Sequence, residues 1–251
     1  VIVEAMKRGD SWRLQEMGAM AIGTMCWDSD LKSAIVEEGG IKVLCKALAE
    51  NLEQPSLVKN ACRALAQIAF NSEPYRTDMS NLGAIPLIIK AMEMHPTHDR
   101  TQMHGCVALS YLSWTNEVNA AEIASHNGYK VIVQAMKNHS TNAEVQENAC
   151  RALANISSMT LTSANDFLTA IIDAMALHDG SPEVQEEACR AIVTLSLVST
   201  ANKDLLEKLG AAPLVVKAMQ AYPRTYLVQQ EAGNALAHLA YEHAALNKQV
   251  T

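Results

Sequence analysis

Two stretches of the chain repeat one another almost residue for residue: Val145-Gln146-Glu147-Asn148-Ala149-Cys150-Arg151-Ala152-Leu153 and Val184-Gln185-Glu186-Glu187-Ala188-Cys189-Arg190-Ala191-Ile192. Weaker copies put Ala19, Cys62, Cys106 and Gly233 at the Cys position, with successive spacings of 43, 44, 44, 39 and 44 residues. A second marker, Ala followed by Met or Leu, falls at Ala5, Ala47, Ala91, Ala135, Ala174 and Ala218, and leads the Cys position by 14 or 15 residues each time. Two markers keeping step over the whole chain identify a repeat array with a period near 42.

Within a unit the apolar positions follow the helical period three times. A short segment such as Asn202-Lys203-Asp204-Leu205-Leu206 opens it and ends at a glycine, Gly40, Gly83, Gly128 or Gly210, expected to supply the positive φ that terminates a helix. A second helix follows, with Pro86 and Pro213 in its first turn and an apolar stripe such as Ile132, Val133, Ala135 and Met136; Pro96 and Pro223 stop it in two copies. The third helix starts at Thr141-Asn142-Ala143-Glu144 or at Ser181-Pro182 and carries Val145, Ala149, Leu153 and Ile156 inward. One unit departs. Between Cys150 and Ala174 the chain is five residues shorter than between Cys106 and Ala135, and Ser157 to Asn165 holds no glycine. Its first helix is expected to be abbreviated or lost, either as a tolerated loop deletion or as a hinge in the array.

The period, together with Gly-Ala-Ile-Pro-Leu (Gly83 to Leu87), Glu-Val-Gln-Glu-Asn-Ala-Cys (Glu144 to Cys150) and Ala-Leu-Ala-Asn-Ile (Ala152 to Ile156), resembles the armadillo repeat over essentially the whole chain. HEAT repeats, with two helices per unit, are the alternative. The resemblance implies an all-α fold: a right-handed α-solenoid superhelix of three-helix repeats, about five full ones plus partial terminal ones. Residues 1–251 read as one array. Because the chain begins without Met, inside the pattern, it is expected to be a fragment of a longer array or protein.

Composition narrows the chemistry. Aromatic residues make up 4% of the chain and Phe occurs twice, so the core must be aliphatic, which suits closely packed helices. A net charge of −7 argues against a nucleic-acid surface, which needs clustered Lys and Arg. No apolar run is long enough for membrane insertion and no signal peptide opens the chain, so a cytoplasmic protein is expected, with a nuclear location open. Cys62, Cys106, Cys150 and Cys189 share one helix register and are expected in the core, too far apart for disulfides. Cys26 and Cys45 lack the spacing of a zinc site, and His95, His98 and His104 are expected at the surface or as caps. No phosphate loop, nucleophile elbow or His-Glu-x-x-His motif appears. The expectation is a non-enzymatic chain without cofactor or metal.

In the armadillo family the third helix lines a concave groove, which implies that site residues lie there. One ladder of equivalent positions reads Met20, Arg63, Val107, Arg151, Arg190, Asn234; a second, Thr24, Gln67, Tyr111, Asn155, Thr194, His238; a third, Met17, Asn60, His104, Asn148, Glu187, Glu231. Spacings of three and four residues put the ladders on one helix face. Nuclear-import members of the family carry Trp in the first ladder and Asn in the second. Here the Asn survives only at Asn155 and the Trp nowhere, which sets this chain apart from them. Arg63, Arg151 and Arg190 would favour an acidic side chain or a backbone carbonyl, since guanidinium matches carboxylate; pairing with a neighbouring Glu is the equal alternative. A further position, Trp27, Phe70, Trp114, Ser158, Leu197, Tyr241, is expected to pack against the next unit or to form a hot spot. These residues predict a scaffold binding an extended peptide or partner surface. A regulatory or structural segment of a larger protein is the alternative.

Overall fold

The computed structural model describes residues 1–9, 11–157 and 165–249, with the side chains of residues 157 and 241–249 left out of that description. The described residues form helices and turns with no strand. The first unit contributes α1 (Ile2–Arg8) and α2 (Trp12–Met25). Three complete units follow: α3 (Ser29–Glu37), α4 (Gly40–Glu50) and α5 (Pro55–Ala69); α6 (Glu73–Asn81), α7 (Ala84–Met94) and α8 (Asp99–Ser113); α9 (Glu117–Ser125), α10 (Gly128–Asn138) and α11 (Ala143–Ser157). The fifth unit has α12 (Asn165–Leu177) and α13 (Pro182–Val198). The sixth has α14 (Thr200–Lys208), α15 (Ala211–Ala221) and α16 (Tyr226–Gln249). The shortened segment expected to bend or to lose a helix falls on residues 158–164, outside the described residues, as does Ser158. Asn247, where a further partial unit was expected to begin, lies within α16.

Third helices stack on third helices. The dominant contacts between units run α2 to α5, α5 to α8, α8 to α11, α11 to α13 and α13 to α16, while the second helices form a parallel outer row. One aliphatic core runs from Val3 to Ala235, and the repeated Cys62, Cys106, Cys150 and Cys189 sit in it with no exposed surface. Burial pushes the Cys62, Cys106 and Cys189 thiols up to about 12, and Cys150 rises likewise, so the cysteines are packing groups. Each unit alone would leave its stripe in water; stacking is what buries it.

Two of the four expected glycine turns shift by one residue. Gly83 and Gly210 do hold positive φ, but at the other two turns the left-handed residue is Gly39 or Asn127. Gly40 and Gly128 follow it as the first residue of the second helix. A Cβ at Gly40 would lie 2.6 Å from the Ile35 carbonyl oxygen, so the constraint there is close approach of backbone to backbone.

A rung of glutamines ties helices together. Gln102, Gln146, Gln185 and Gln229, all at the same place on the third helix, each donate Nε2 to two carbonyls at the end of the preceding second helix at 2.8–2.9 Å. These carbonyls lie in the last turn of the helix or just beyond it, where the ladder of intrahelical donors runs out, so the side chain serves as a C-terminal cap. Successive units are further joined where His95, His139 and His178 place Nε2 against the carbonyl oxygens of Leu52, Pro96 and Ser140 at 2.6, 2.9 and 2.6 Å. His98 is the N-cap of α8, receiving the Thr101 amide. Among the described residues no group of three or more His, Cys, Asp or Glu side chains converges.

Candidate functional site: the third-helix groove

All three ladders do lie on the third helices, and the face they form runs unbroken across the units. It divides by charge. In the second unit Lys59 and Arg63 stand one turn apart with Asn60 buried between them and Gln67 half-buried one turn on. Arg63 donates Nη2 to Thr24 Oγ1 at 2.8 Å, and its Nε lies 3.4 Å from where a Cβ on Gly23 of the preceding third helix would stand. In the third unit His104 is half-buried, and burial with the charges of Arg63, Arg100 and Lys59 lowers its pKa to about 4. The imidazole is therefore neutral at pH 7.

The fourth and fifth units hold a charge network instead. Arg151 donates Nε to Glu187 Oε1 at 2.7 Å, Nη1 to Asn148 Oδ1 at 2.9 Å and Nη2 to Glu147 Oε1 at 2.7 Å. Arg190 donates Nη2 to Glu186 Oε1 at 2.9 Å and approaches Glu187 Oε2 to 3.3 Å. Of the two alternatives read for Arg151 and Arg190, the structure shows the pairing with neighbouring carboxylates, which occupy these guanidinium groups. Arg63 keeps its charge uncompensated by any ion pair among the described residues. Glu187 is not an exposed ligand contact either, since its side chain is only 3% exposed. Burial raises the Glu187 carboxyl above the ordinary range, against the opposing charges of Arg151 and Arg190; burial raises Glu147 and Glu186 too. For Arg151, burial pulls the guanidinium down, and Glu187 and Glu147 overcome it and hold it above its ordinary value.

The remaining ladder residues separate further. Asn155 donates Nδ2 to the carbonyl oxygen of Ser110 at 3.0 Å and to Ser110 Oγ at 3.1 Å, locking α11 to α8. Asn60 and Asn148 are buried, and the Asn148 amide donates to the Glu144 carbonyl of its own helix. Thr194 donates back to the Arg190 carbonyl. Asn234 is exposed and His238 half-buried in the last unit. Tyr111 packs its ring on Phe70 with centroids 5.1 Å apart.

A cavity of about 340 Å³ opens where the units meet, walled by Phe70, Tyr111 and Trp114 and floored by Arg151, Glu186 and Glu187. Phe70 and Trp114 are 37% and 42% exposed. Of the aromatic ladder read from the sequence, these two line the groove, whereas Trp27 is 74% exposed at its start. Glu147 and Glu186, which carry the network, were part of the repeat marker itself; a search for an opposite charge four residues before each Arg would have found them.

Stacked three-helix units, a left-handed residue before α4, α7, α10 and α15 and one groove lined by third helices define an armadillo-repeat solenoid. The chain belongs to the LRRK2 ARM repeat family, whose sequence profile matches residues 1–167. No curated protein matches it. Solved structures of similar fold include an engineered protein from the Northeast Structural Genomics Consortium, 24% identical, with a TM-score of 0.82 over 96% of this chain and 95% of that one. A designed armadillo repeat protein is 22% identical, with a TM-score of 0.79 over 95% and 98% of the two chains. A second designed armadillo repeat protein, in complex with the peptide (KR)4, is 21% identical, with a TM-score of 0.77 over the same shares. At such identities the likeness concerns the fold.

Proposed function

We propose that this chain is a non-catalytic scaffold that binds an extended peptide along the groove of its third helices. The observation that carries the reading is the cavity between Phe70, Tyr111 and Trp114 on one side and the charged floor on the other, to which four successive units contribute. An apolar wall with a few placed polar groups suits a side chain of a bound segment. A designed neighbour of the same fold is in complex with the peptide (KR)4, which supports peptide binding by this fold. Among the described residues no helix is long and apolar enough to cross a membrane.

Affinity selection from a random peptide library, followed by titration of a selected peptide, tests the proposal. Tyr111→Ala and Trp114→Ala should each weaken binding by about 1–3 kcal/mol, as truncation of an aromatic anchor does. Lys90→Ala and Gln134→Ala, on the second-helix row, should leave it unchanged. Equal sensitivity of the two sets, or selection of no peptide, would refute the groove as binding surface.

A further inference from the structure

The groove is electrically lopsided. In the second unit Lys59 and Arg63 share a face with no carboxylate, and neither makes an ion pair among the described residues; Glu16 is the one acidic side chain at the Lys59 register of the preceding unit. From the fourth unit to the sixth, Glu147, Glu186, Glu187 and Glu231 face only Arg151 and Arg190 on the same registers. One end therefore attracts negative charge and the other, after internal pairing, retains an excess of carboxylate. His104 between them is neutral and Val107 apolar, so nothing charged bridges the two ends on these ladders.

The cavity at the acidic end is built for a cation. The chain already rests Lys32 over the Phe70 ring at 5.8 Å and Arg76 over the Trp114 ring at 5.9 Å, so both rings serve as cation contacts on one side while remaining open to the cavity. At the floor, Glu187 Oε2 is buried and has no hydrogen bond, its approach to Arg190 lacking the required geometry. Its burial keeps it from a ligand, and the reachable carboxylate at the floor is Glu186, whose side chain is 17% exposed.

We propose that the ligand is an extended segment of mixed charge. It places an acidic side chain against Lys59 and Arg63 and a lysine or arginine side chain in the cavity between the aromatic wall and Glu186. The cavity is walled from the second and third units and floored from the fourth and fifth, so its centre is about two units from Lys59 and Arg63, roughly 16–20 Å at the usual helix spacing, which an extended chain covers in about five or six residues. This pattern rests on the groove reading above and specifies its ligand class: neither a wholly basic nor a wholly acidic peptide satisfies both ends.

The test uses fluorescein-labelled synthetic peptides of Gly and Ser with one Asp pair and one Arg separated by about five residues, and versions with either charge replaced by Ser, titrated by anisotropy at low salt. The mixed peptide should bind at least tenfold tighter than either single-charge version, a difference of about 1.4 kcal/mol. Arg63→Gln should abolish the advantage of the Asp pair and leave that of the Arg intact. Glu186→Gln, whose side chain is more exposed than Glu187 and safer for folding, should do the converse. Equal binding of a single-charge peptide, or equal weakening of every peptide by both substitutions, overturns the mixed-charge proposal while leaving the groove standing if Tyr111→Ala still weakens binding. Failure of every peptide to bind at millimolar concentration would overturn both.

Discussion

Arg151 shares the groove face by its register, and its ion pairs with Glu147 and Glu187 give it a part in holding the fold. Each of its three guanidinium nitrogens donates a hydrogen bond, and Glu187, which supplies one of the acceptors, is 3% exposed. Arg151→Ala would leave a buried carboxylate facing only Arg190 at 3.3 Å. Removing one partner of a buried pair costs about 3–5 kcal/mol; because Arg151 is itself a quarter exposed and Arg190 remains, about 2–3 kcal/mol is expected. Urea unfolding followed by far-ultraviolet circular dichroism would measure the loss. The pH dependence supplies an independent signature. The Glu187 carboxyl is already raised above its unfolded value by burial, so the folded state binds its proton more tightly and this group's contribution falls as pH rises out of the carboxylate range. Without Arg151 the folded value rises further, and the deficit of the variant should be largest at neutral pH and shrink as the solution is acidified toward the unfolded carboxyl range. Glu187→Gln in the Arg151→Ala background should recover part of the loss. A deficit under about 0.5 kcal/mol at pH 7, or one that does not change with pH, would refute the idea that Arg151 holds Glu187 in the fold.

Arg63→Ala, by contrast, should cost less than about 1 kcal/mol in the same urea assay, since it removes one hydrogen bond to an exposed threonine. Gln146→Ala should destabilise by about 1–3 kcal/mol, because it withdraws the donor from the Met136 and His139 carbonyls; the second unit, with Val58 at that position, supplies a natural unit lacking the tie. The six cysteines, all buried, should resist alkylation at pH 7.5 and react fully in urea, as counted by intact mass. Gly40→Ala should lower the thermal midpoint by several degrees, because its Cβ would meet the Ile35 carbonyl oxygen at 2.6 Å and neither backbone segment can move alone.

The repeat, its three-helix content and the inward register of the cysteines were legible in the linear sequence because each depends on contacts at fixed short spacings. A helix face is set by three- and four-residue neighbours, and a period near 42 repeats that face until it becomes a stack. The position of the groove could be assigned by the same route, since its residues recur on one helix. What those residues do there could not. Arg151 reads as an open cation until Glu187, 36 residues later, is seen packed against it; Asn155 reads as a free donor until Ser110, 45 residues earlier, is seen to receive its amide. The same holds for Gly40, whose requirement comes from the Ile35 carbonyl folding back over it and not from its own torsion angle. Local spacing determines which face a side chain shares, because the helix geometry is the same everywhere. Whether that side chain is exposed, paired or capping is decided by the neighbouring unit, since the distances that set ion pairing and desolvation exist only once the units are stacked.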